Sequence, residues 1–230
     1  MHIFMTGGSG RNGILTIRAA LSRGHSVTAL VRNPSTFPLA QHPNLILVEG
    51  TPTSQLSVQS ALTAASTLPD AVITTLSLRR TSDSPFAPLS PDTDPNFLSA
   101  AMRALIDAVH AVYTDAARIP KVVVNSSVGV GDSWAAMSSP FKALFSISSM
   151  RFGLRDHGSA QAILEASGLP FVFARPVRLT EGDAAPVREF ASTGEGLSWN
   201  PSVSRVSVAE WLVNAAEDGR WDGTAPVLAN

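Results

Sequence analysis

The chain has 230 residues, of which 44% are hydrophobic and 15% are charged, and its formal net charge is -1 at pH 7. This composition indicates a globular protein and argues against a nucleic-acid or acidic-membrane partner, which would require a strongly basic surface. The absence of cysteine excludes disulfides and thiol catalysis, and the histidines lack the clustered partners of a metal site.

The first thirteen residues have the pattern of a strand, a glycine-rich turn and a helix. An apolar run at 2–5 precedes the turn, and residues 14–21 carry apolar side chains at helical spacing. This context predicts a dinucleotide-binding loop. Gly7 would make a tight turn, Gly10 would let the backbone approach a pyrophosphate, and Gly13 would let helix and strand pack closely. The cofactor contacts predicted here are Gly7, Gly8, Ser9, Gly10, Arg11, Asn12 and Gly13.

The second predicted strand, at 26–31, ends at Arg32. In a nucleotide-binding βαβ unit, a carboxylate at this place binds the ribose hydroxyl of NAD, whereas an arginine accommodates the phosphate of NADP. The next acidic residue is Glu49, and Arg11 supplies a second cation within the loop. We therefore predict NADP(H) as the cofactor. The alternative is that both arginines are solvated surface charges, and this applies to Arg11 more than to Arg32.

Strand and helix patterns continue to alternate along the chain. Strands are predicted at 44–50, 70–76, 121–125, 171–175 and 225–229, and helices at 54–65, at 96–116, in a region that closes near 167, and from 206. Short connections between alternating elements predict an α/β Rossmann-type, doubly wound parallel sheet with helices on both faces, in a single domain spanning 1–230. Thr75 and Leu76, at the end of the fourth strand, are predicted to contact the cofactor.

Two irregular stretches interrupt this alternation. The stretch 79–95 follows the fourth strand and is rich in proline and polar residues, so it is either a loop over the ligand crevice or a flexible segment. The stretch 177–201 is rich in glycine, proline and charge. We expect it to be an insertion that forms a small C-terminal substrate lobe.

Five stretches, in order along the chain, resemble one family: 6–13, 30–34, 123–127, 165–176 and 204–209. The sequence resembles the atypical NAD(P)H-binding branch of the short-chain dehydrogenase/reductase superfamily, which includes NmrA-like and flavin-reductase-like proteins. The resemblance implies a Rossmann sheet of seven or eight strands with NADP(H) across the strand ends. Function is decided by the site rather than by the fold.

The sequence differs from this family at the positions of the family's usual catalytic pair, a tyrosine and a lysine. By the family's spacing, the catalytic tyrosine position falls on Gly153 and the lysine position on His157, while Tyr113, the only tyrosine, belongs to another helix. Thr51 stands where relatives often hold adenine with an aspartate. Standard alcohol dehydrogenation through a tyrosine-lysine pair is therefore not expected.

The remaining catalytic candidates are Ser126, Ser127 and His157, which the fold would bring to one crevice. A serine hydroxyl can bond a substrate carbonyl, and histidine can move a proton near neutral pH. Two alternatives remain: the serines only cap backbone groups, and His157 only binds the nicotinamide ribose. Ser126, His157 and Pro176 are also predicted cofactor contacts. Arg155 and Asp156 are expected to form a surface pair.

Aromatic and methionine side chains are expected to form an apolar substrate wall beside the nicotinamide, or else a core or dimer contact; they are Trp134, Met137, Phe141, Phe145, Met150 and Phe152. The leading hypothesis is an NADPH-dependent reductase of a small apolar or aromatic carbonyl, quinone, flavin or enone. A non-redox isomerase, dehydratase or cyclase that uses His157, and an NmrA-like dinucleotide sensor without catalysis, are the alternatives. We expect a cytoplasmic monomer or homodimer with a small-molecule substrate, because no signal-peptide pattern and no membrane-length apolar run occurs.

Overall fold

The computed structural model describes residues 1–39 and 41–230. Within them, the strands are β1 (His2–Thr6), β2 (Ser26–Val31), β3 (Leu45–Glu49), β4 (Ala71–Thr74), β5 (Lys121–Asn125), β6 (Phe171–Pro176), β7 (Arg178–Thr180), β8 (Arg188–Phe190), β9 (Ser202–Ser204) and β10 (Val227–Ala229). The α-helices are α1 (Arg11–Ser22), α2 (Gln55–Leu62), α3 (Phe97–Val112), α4 (Ser139–Ile147), α5 (Met150–Glu165) and α6 (Arg205–Glu217).

Eight strands form one sheet in the order β3-β2-β1-β4-β5-β6-β10-β8. All neighbouring pairs are parallel except β10 with β8, and β7 pairs with β9 in a separate parallel ribbon. The strand order reverses between β1 and β4, and in such sheets ligands bind at the carboxyl ends of the strands beside this point. The predicted doubly wound Rossmann sheet is confirmed.

The sheet has a hydrophobic core on each face, and β1 contributes to both. Ile3 and Met5 belong to the cluster that includes residues of α1 and α6, whereas Phe4 belongs to the cluster with residues of α2, α3 and α5. All three side chains are fully buried, because successive residues of a strand point to opposite faces. Each contributes roughly 1.5–3 kcal/mol through burial. The prediction of helices on both faces is confirmed.

The helix predicted at 96–116 is shorter than expected and ends at Val112. Tyr113 leaves the helix with φ -97° and ψ 97°, and its buried hydroxyl donates a hydrogen bond to the Pro69 carbonyl at 2.8 Å. Burial raises the pKa of Tyr113. The tyrosine therefore anchors this end of α3 to the start of β4.

The helical region after β5 consists of two helices rather than one. Ser148, with φ -98° and ψ 171°, is the extended residue that ends α4, and α5 begins two residues later. The predicted strands also begin and end at slightly different residues. Because β4 ends at Thr74, Thr75 and Leu76 lie in the connection that follows it.

Backbone hydrogen bonds hold the loop 79–95 in place, one within the loop and one to a neighbouring segment. The Thr81 N–H donates to the Pro88 carbonyl at 3.0 Å, and the Ser149 N–H donates to the Pro85 carbonyl at 3.0 Å. The second bond joins the loop to the junction between α4 and α5. The loop therefore has a defined position over the carboxyl ends of the strands.

Two further findings concern the described part of the chain, residues 1–39 and 41–230. No helix there is both long enough and apolar enough to cross a membrane. No cluster of three or more histidine, aspartate or glutamate side chains there could hold a metal ion.

Candidate cofactor cleft and substrate cavity

The glycine loop is packed tightly against the end of β4. Gly7 has φ +79°, and a Cβ atom at this residue would lie 2.7 Å from the carbonyl carbon of Thr75. The Thr75 hydroxyl donates a hydrogen bond to the Gly7 carbonyl at 3.1 Å. A Cβ atom at Gly13 would lie 2.2 Å from the Gly7 carbonyl oxygen. Only glycine fits at these two positions. The turn at Gly7 requires a positive φ, and the helix at Gly13 approaches the loop too closely to leave room for a side chain.

Gly10 has different surroundings. A Cβ atom there would meet only the Gly7 carbonyl oxygen, at 3.3 Å. Gly10 is exposed and is the N-cap of α1, where no side chain caps the helix. Open space beside the first N–H groups of a helix suits an anion, because the helix dipole is positive at this end. The loop therefore fits the pyrophosphate of a dinucleotide.

A cleft of about 280 Å³ extends from this loop along the ends of β2, β3 and β4. Arg32 lines it and is exposed, and across the described chain its side chain makes no hydrogen bond or ion pair. Arg79 also lines the cleft but pairs with Asp92. The buried Thr93 hydroxyl has no partner in the described structure. The cleft thus offers one unpaired cation, Arg32, and the unpartnered hydroxyl of Thr93 to a polar ligand. Its lining also includes Gly7, Ser9, Gly10, Thr51, Thr75 and Leu76.

Seven of the predicted cofactor residues do not line this cleft: Gly8, Arg11, Asn12, Gly13, Ser126, His157 and Pro176. Asn12 is buried, and its side-chain oxygen accepts a hydrogen bond from Arg205 at 2.7 Å. A Cβ atom at Gly8 would lie 2.9 Å from the Ile17 side chain. The structure gives Gly8, Asn12 and Gly13 packing or positioning roles, and the contact of all seven residues with a cofactor stays a prediction.

Arg11 lies on the other side of the loop from Arg32. Its guanidinium pairs with Asp83 of the 79–95 loop at 3.1 Å and with Glu181, after β7, at 3.6 Å. It lines the larger cavity described next and not the cleft. The expectation of NADP(H) therefore depends on Arg32 alone.

A cavity of about 540 Å³ lies next to the cleft, between the 79–95 loop, α4, the start of α5 and the segment 177–201. Its walls are mainly apolar. Four residues of the predicted apolar wall line it, namely Met137, Phe141, Phe145 and Met150, together with Leu144, Leu179, Leu197 and Trp199. The prediction was wrong for Trp134 and Phe152, which do not line the cavity; Phe152 instead lies under the guanidinium of Arg151 at 4.6 Å.

Three serines line this cavity: Ser127, Ser138 and the exposed Ser198. The Ser127 hydroxyl donates to the Val128 carbonyl at 3.0 Å, as the backbone-capping alternative expects. Ser138, which sequence reasoning missed, has a buried hydroxyl without a partner in the described structure. It stands at the N-cap of α4 but makes no cap hydrogen bond. The Ser126 hydroxyl is also buried and unpartnered, but Ser126 is not part of this wall.

His157 lies away from the large cavity. It follows Met150 by seven residues on α5, about 10 Å along the helix axis, and lines a separate small cavity with residues of α3 and with Asn125. Burial lowers the pKa of His157 to about 4, so the imidazole is neutral at pH 7. His157 and Ser127 therefore line different cavities, because α5 turns this part of its surface toward α3. The cavity beside His157 shares Pro52 and Leu76 with the cleft, and the predicted contact of His157 with a cofactor stays a prediction.

A family model described as NAD(P)H-binding matches residues 7–219. The chain belongs to this NAD(P)H-binding family. The match covers the glycine loop, the cleft and the cavity. It confirms the NAD(P)H-binding part of the predicted resemblance, whereas the short-chain dehydrogenase/reductase superfamily and its NmrA-like branch stay predictions.

Solved structures of this kind have the same fold. The anaerobillin reductase ChuY of Escherichia coli O157:H7 is 23% identical, with a TM-score of 0.75 over 100% of this chain and 97% of its own. A short-chain dehydrogenase/reductase of Veillonella parvula in complex with NADP is 15% identical, with a TM-score of 0.75 over 100% and 94%. The oxidoreductase YlbE of Lactococcus lactis is 16% identical, with a TM-score of 0.73 over 100% and 91%. No curated protein matches the sequence significantly.

In this NAD(P)H-binding protein, Asp156 has a structural role that the sequence did not indicate. Its buried carboxylate accepts hydrogen bonds from the N–H groups of Leu98 at 2.6 Å and Ser99 at 3.1 Å. The predicted surface pair with Arg155 is therefore wrong, because Asp156 caps the first turn of α3. Asn125, at the end of β5, was also missed; its side-chain oxygen is buried without a partner in the part of the chain that the structure describes.

Proposed function

We propose that this protein is an NADPH-dependent oxidoreductase that transfers a hydride to a small apolar or aromatic carbonyl, quinone, flavin or enone. The observation that carries the proposal is the shared wall between the cleft and the cavity: Gly10 lines the first and Arg11 the second. A dinucleotide bound across the loop would extend from one space toward the other. The similarity to an anaerobillin reductase supports a reduction on this fold.

The choice of NADPH rests on the charges around the cleft. Arg32 is its one unpaired cation in the described structure, and its one carboxylate, Asp92, is already paired with Arg79. A guanidinium forms strong, charge-assisted hydrogen bonds with a phosphate. We therefore assign the additional phosphate of NADPH to Arg32.

The polar group best placed to act on the substrate is Ser138. When bound, the cofactor supplies the hydride, and the protein must hold the acceptor and stabilise negative charge on its oxygen. Ser138 brings a free, buried hydroxyl to an apolar wall, whereas the hydroxyl of Ser127 is occupied by the Val128 carbonyl. We infer that Ser138 donates to the acceptor oxygen. We assign the proton to solvent, since His157 is neutral and faces another cavity.

The test is NADPH oxidation with a panel of acceptors, namely menadione, FMN and cyclohexenone, followed through the loss of NADPH absorbance. We expect turnover with at least one of them. Ser138→Ala should lower kcat about 10²-fold, as removal of one oxyanion donor does. Ser139→Ala, at an exposed residue of the same turn, should leave kcat unchanged.

Each other outcome identifies an alternative. Product formed without NADPH consumption would indicate a non-redox isomerase, dehydratase or cyclase. Tight NADPH binding without turnover of any acceptor would indicate a dinucleotide sensor. The cytoplasmic location, the monomeric or homodimeric state and the absence of nucleic-acid or membrane partners stay predictions.

A further inference from the structure

We propose that the substrate is an organic acid whose carboxylate binds Arg80 and Arg178 while its apolar body fills the 540 Å³ cavity. This inference rests on the proposed function only in that the cavity is the substrate site. It narrows the class of hydride acceptor from an apolar molecule in general to a molecule that has an apolar body and a negative charge.

The first observation is the charge of the cavity lining. Four arginines line the cavity but only two carboxylates, so four positive and two negative charges leave a formal charge of +2; the residues are Arg11, Arg80, Arg178, Arg205, Asp83 and Glu181. The whole chain has a net charge of -1. The positive charge is therefore concentrated at this cavity and does not reflect a basic protein. Such a lining attracts anions and raises their local concentration.

The second observation locates the unpaired charge. Asp83 pairs with Arg11 at 3.1 Å, and Glu181 pairs with Arg205 at 2.7 Å and with Arg11 at 3.6 Å. Both carboxylates of the lining are therefore engaged by these two arginines. The uncompensated +2 charge belongs to the two arginines that remain.

Those two arginines have no acidic partner in the described part of the chain. Arg178 makes no side-chain hydrogen bond or ion pair there, and Arg80 donates only to the Ser84 carbonyl, at 2.9 Å. Both stand on ordered backbone, since Arg178 begins β7 and Arg80 forms a bridge with Leu89. Their guanidinium groups are thus free to bind an acid at a defined place.

The third observation is the apolar surface beside these charges. Trp199 lines the same cavity and is 77% exposed, which is unusual for a side chain of this size. Its ring offers a flat face to an aromatic or conjugated ligand. Beside apolar walls, a guanidinium–carboxylate pair is stronger than in bulk water because the local dielectric constant is lower. Charge and apolar wall together favour an amphipathic acid.

The test compares two ligands of the same shape and different charge, naphthalene dicarboxylate and naphthalene dicarboxamide, by isothermal titration calorimetry with NADP⁺-saturated protein. We expect the acid to bind at least about tenfold more tightly than the amide, since its contacts are charge-assisted. The double variant Arg80→Gln, Arg178→Gln should bind both ligands equally. Arg188→Gln, at an exposed arginine outside the cavity, should keep the preference.

Equal affinities in the unaltered protein, no binding of either ligand, or a preference that survives the double substitution would overturn the inference. A preference that disappears when NADP⁺ is bound would also overturn it, because the arginines would then serve the cofactor. Calorimetry requires no turnover. An acid preference in a protein that oxidises no NADPH would therefore leave this inference standing while removing the reductase proposal, and NADPH oxidation without acid preference would do the reverse.

Discussion

The cofactor cleft and the substrate cavity are built in different ways. At the cleft, the backbone itself forms the site: Gly7 and Gly13 allow chain segments to approach so closely that a single Cβ atom would collide with them. At the cavity, side chains from widely separated segments of the chain form the walls. The first site depends on a short local pattern, and the second depends on the tertiary fold. Substitutions should therefore affect the two regions differently.

The largest expected effect comes from the packed side of the glycine loop. Gly13→Val would place a branched side chain where even a Cβ atom lies 2.2 Å from the Gly7 carbonyl oxygen. Overpacking of this kind costs roughly 1–3 kcal/mol or more. We therefore expect Gly13→Val to lower the free energy of unfolding measured by urea denaturation. Gly158→Ala is the control, because a Cβ atom there meets nothing within 4 Å. A Gly13→Val protein as stable as this control would contradict the packing account.

Gly10→Val tests the open side of the same loop. Because a Cβ atom at Gly10 meets only one oxygen, at 3.3 Å, the fold should persist with an unchanged circular dichroism spectrum. The valine would occupy the space assigned to the pyrophosphate, and we expect the Kd for NADPH to rise by on the order of 100-fold. Normal NADPH binding in a fluorescence titration would mean that the loop is only a turn.

Arg32→Ala should have a smaller and more selective effect. The unaltered protein should bind NADPH about tenfold more tightly than NADH, since one charge-assisted phosphate contact has this magnitude. The substitution should remove that preference and leave the Kd for NADH unchanged. Arg18→Ala, at an exposed arginine of α1 outside the cleft, should keep the preference. Equal titration curves for NADPH and NADH in the unaltered protein would disprove the assignment.

His157 should show no effect of this kind near pH 7, and its contribution would appear as a pH dependence of stability at acidic pH. Its pKa of about 4 in the folded protein lies below the ordinary histidine value of 6.5, so between these two pH values the unfolded chain binds the proton more readily. The free energy of unfolding should therefore fall as the pH is lowered from 6.5 to 4, by about 2–3 kcal/mol for this residue. His157→Gln should reduce that slope, measured by urea denaturation at pH 7 and pH 4.5. An unchanged slope would show that His157 titrates normally.

The difference between the cofactor cleft and the substrate cavity also explains which features could be predicted from the sequence. Gly7, Gly10, Gly13 and Arg32 lie within one short βαβ unit, where spacing along the chain decides spacing in the fold. The parallel, doubly wound sheet and both helical layers followed from the alternation of elements. The predicted helix end at Ala116 failed because the hydroxyl of Tyr113 bonds a carbonyl 44 residues away.

Side-chain roles that depend on tertiary packing were not predictable in this way. Asp156 looked like a surface residue, but the contact of α5 with α3 buries its carboxylate at the start of α3. Ser138 carries the pattern of an ordinary N-cap, yet its hydroxyl makes no cap hydrogen bond and is buried without a partner in the described structure. The position of His157 on α5 was predicted from the spacing of the family's motif residues along the chain. That spacing does not indicate which neighbouring element the His157 side of the helix contacts.

The most direct test of the proposed hydride transfer is to follow the hydrogen atom that NADPH loses. NADPH deuterated at its transferable position should be mixed with enzyme and cyclohexenone, or with the preferred enone, and the product examined by mass spectrometry. If cleft and cavity meet as we propose, the product should carry one deuterium on carbon, and Ser138→Ala should slow its appearance. A product without deuterium, or NADPH that stays intact while the enone is consumed, would contradict the claim that this protein is a hydride-transferring reductase.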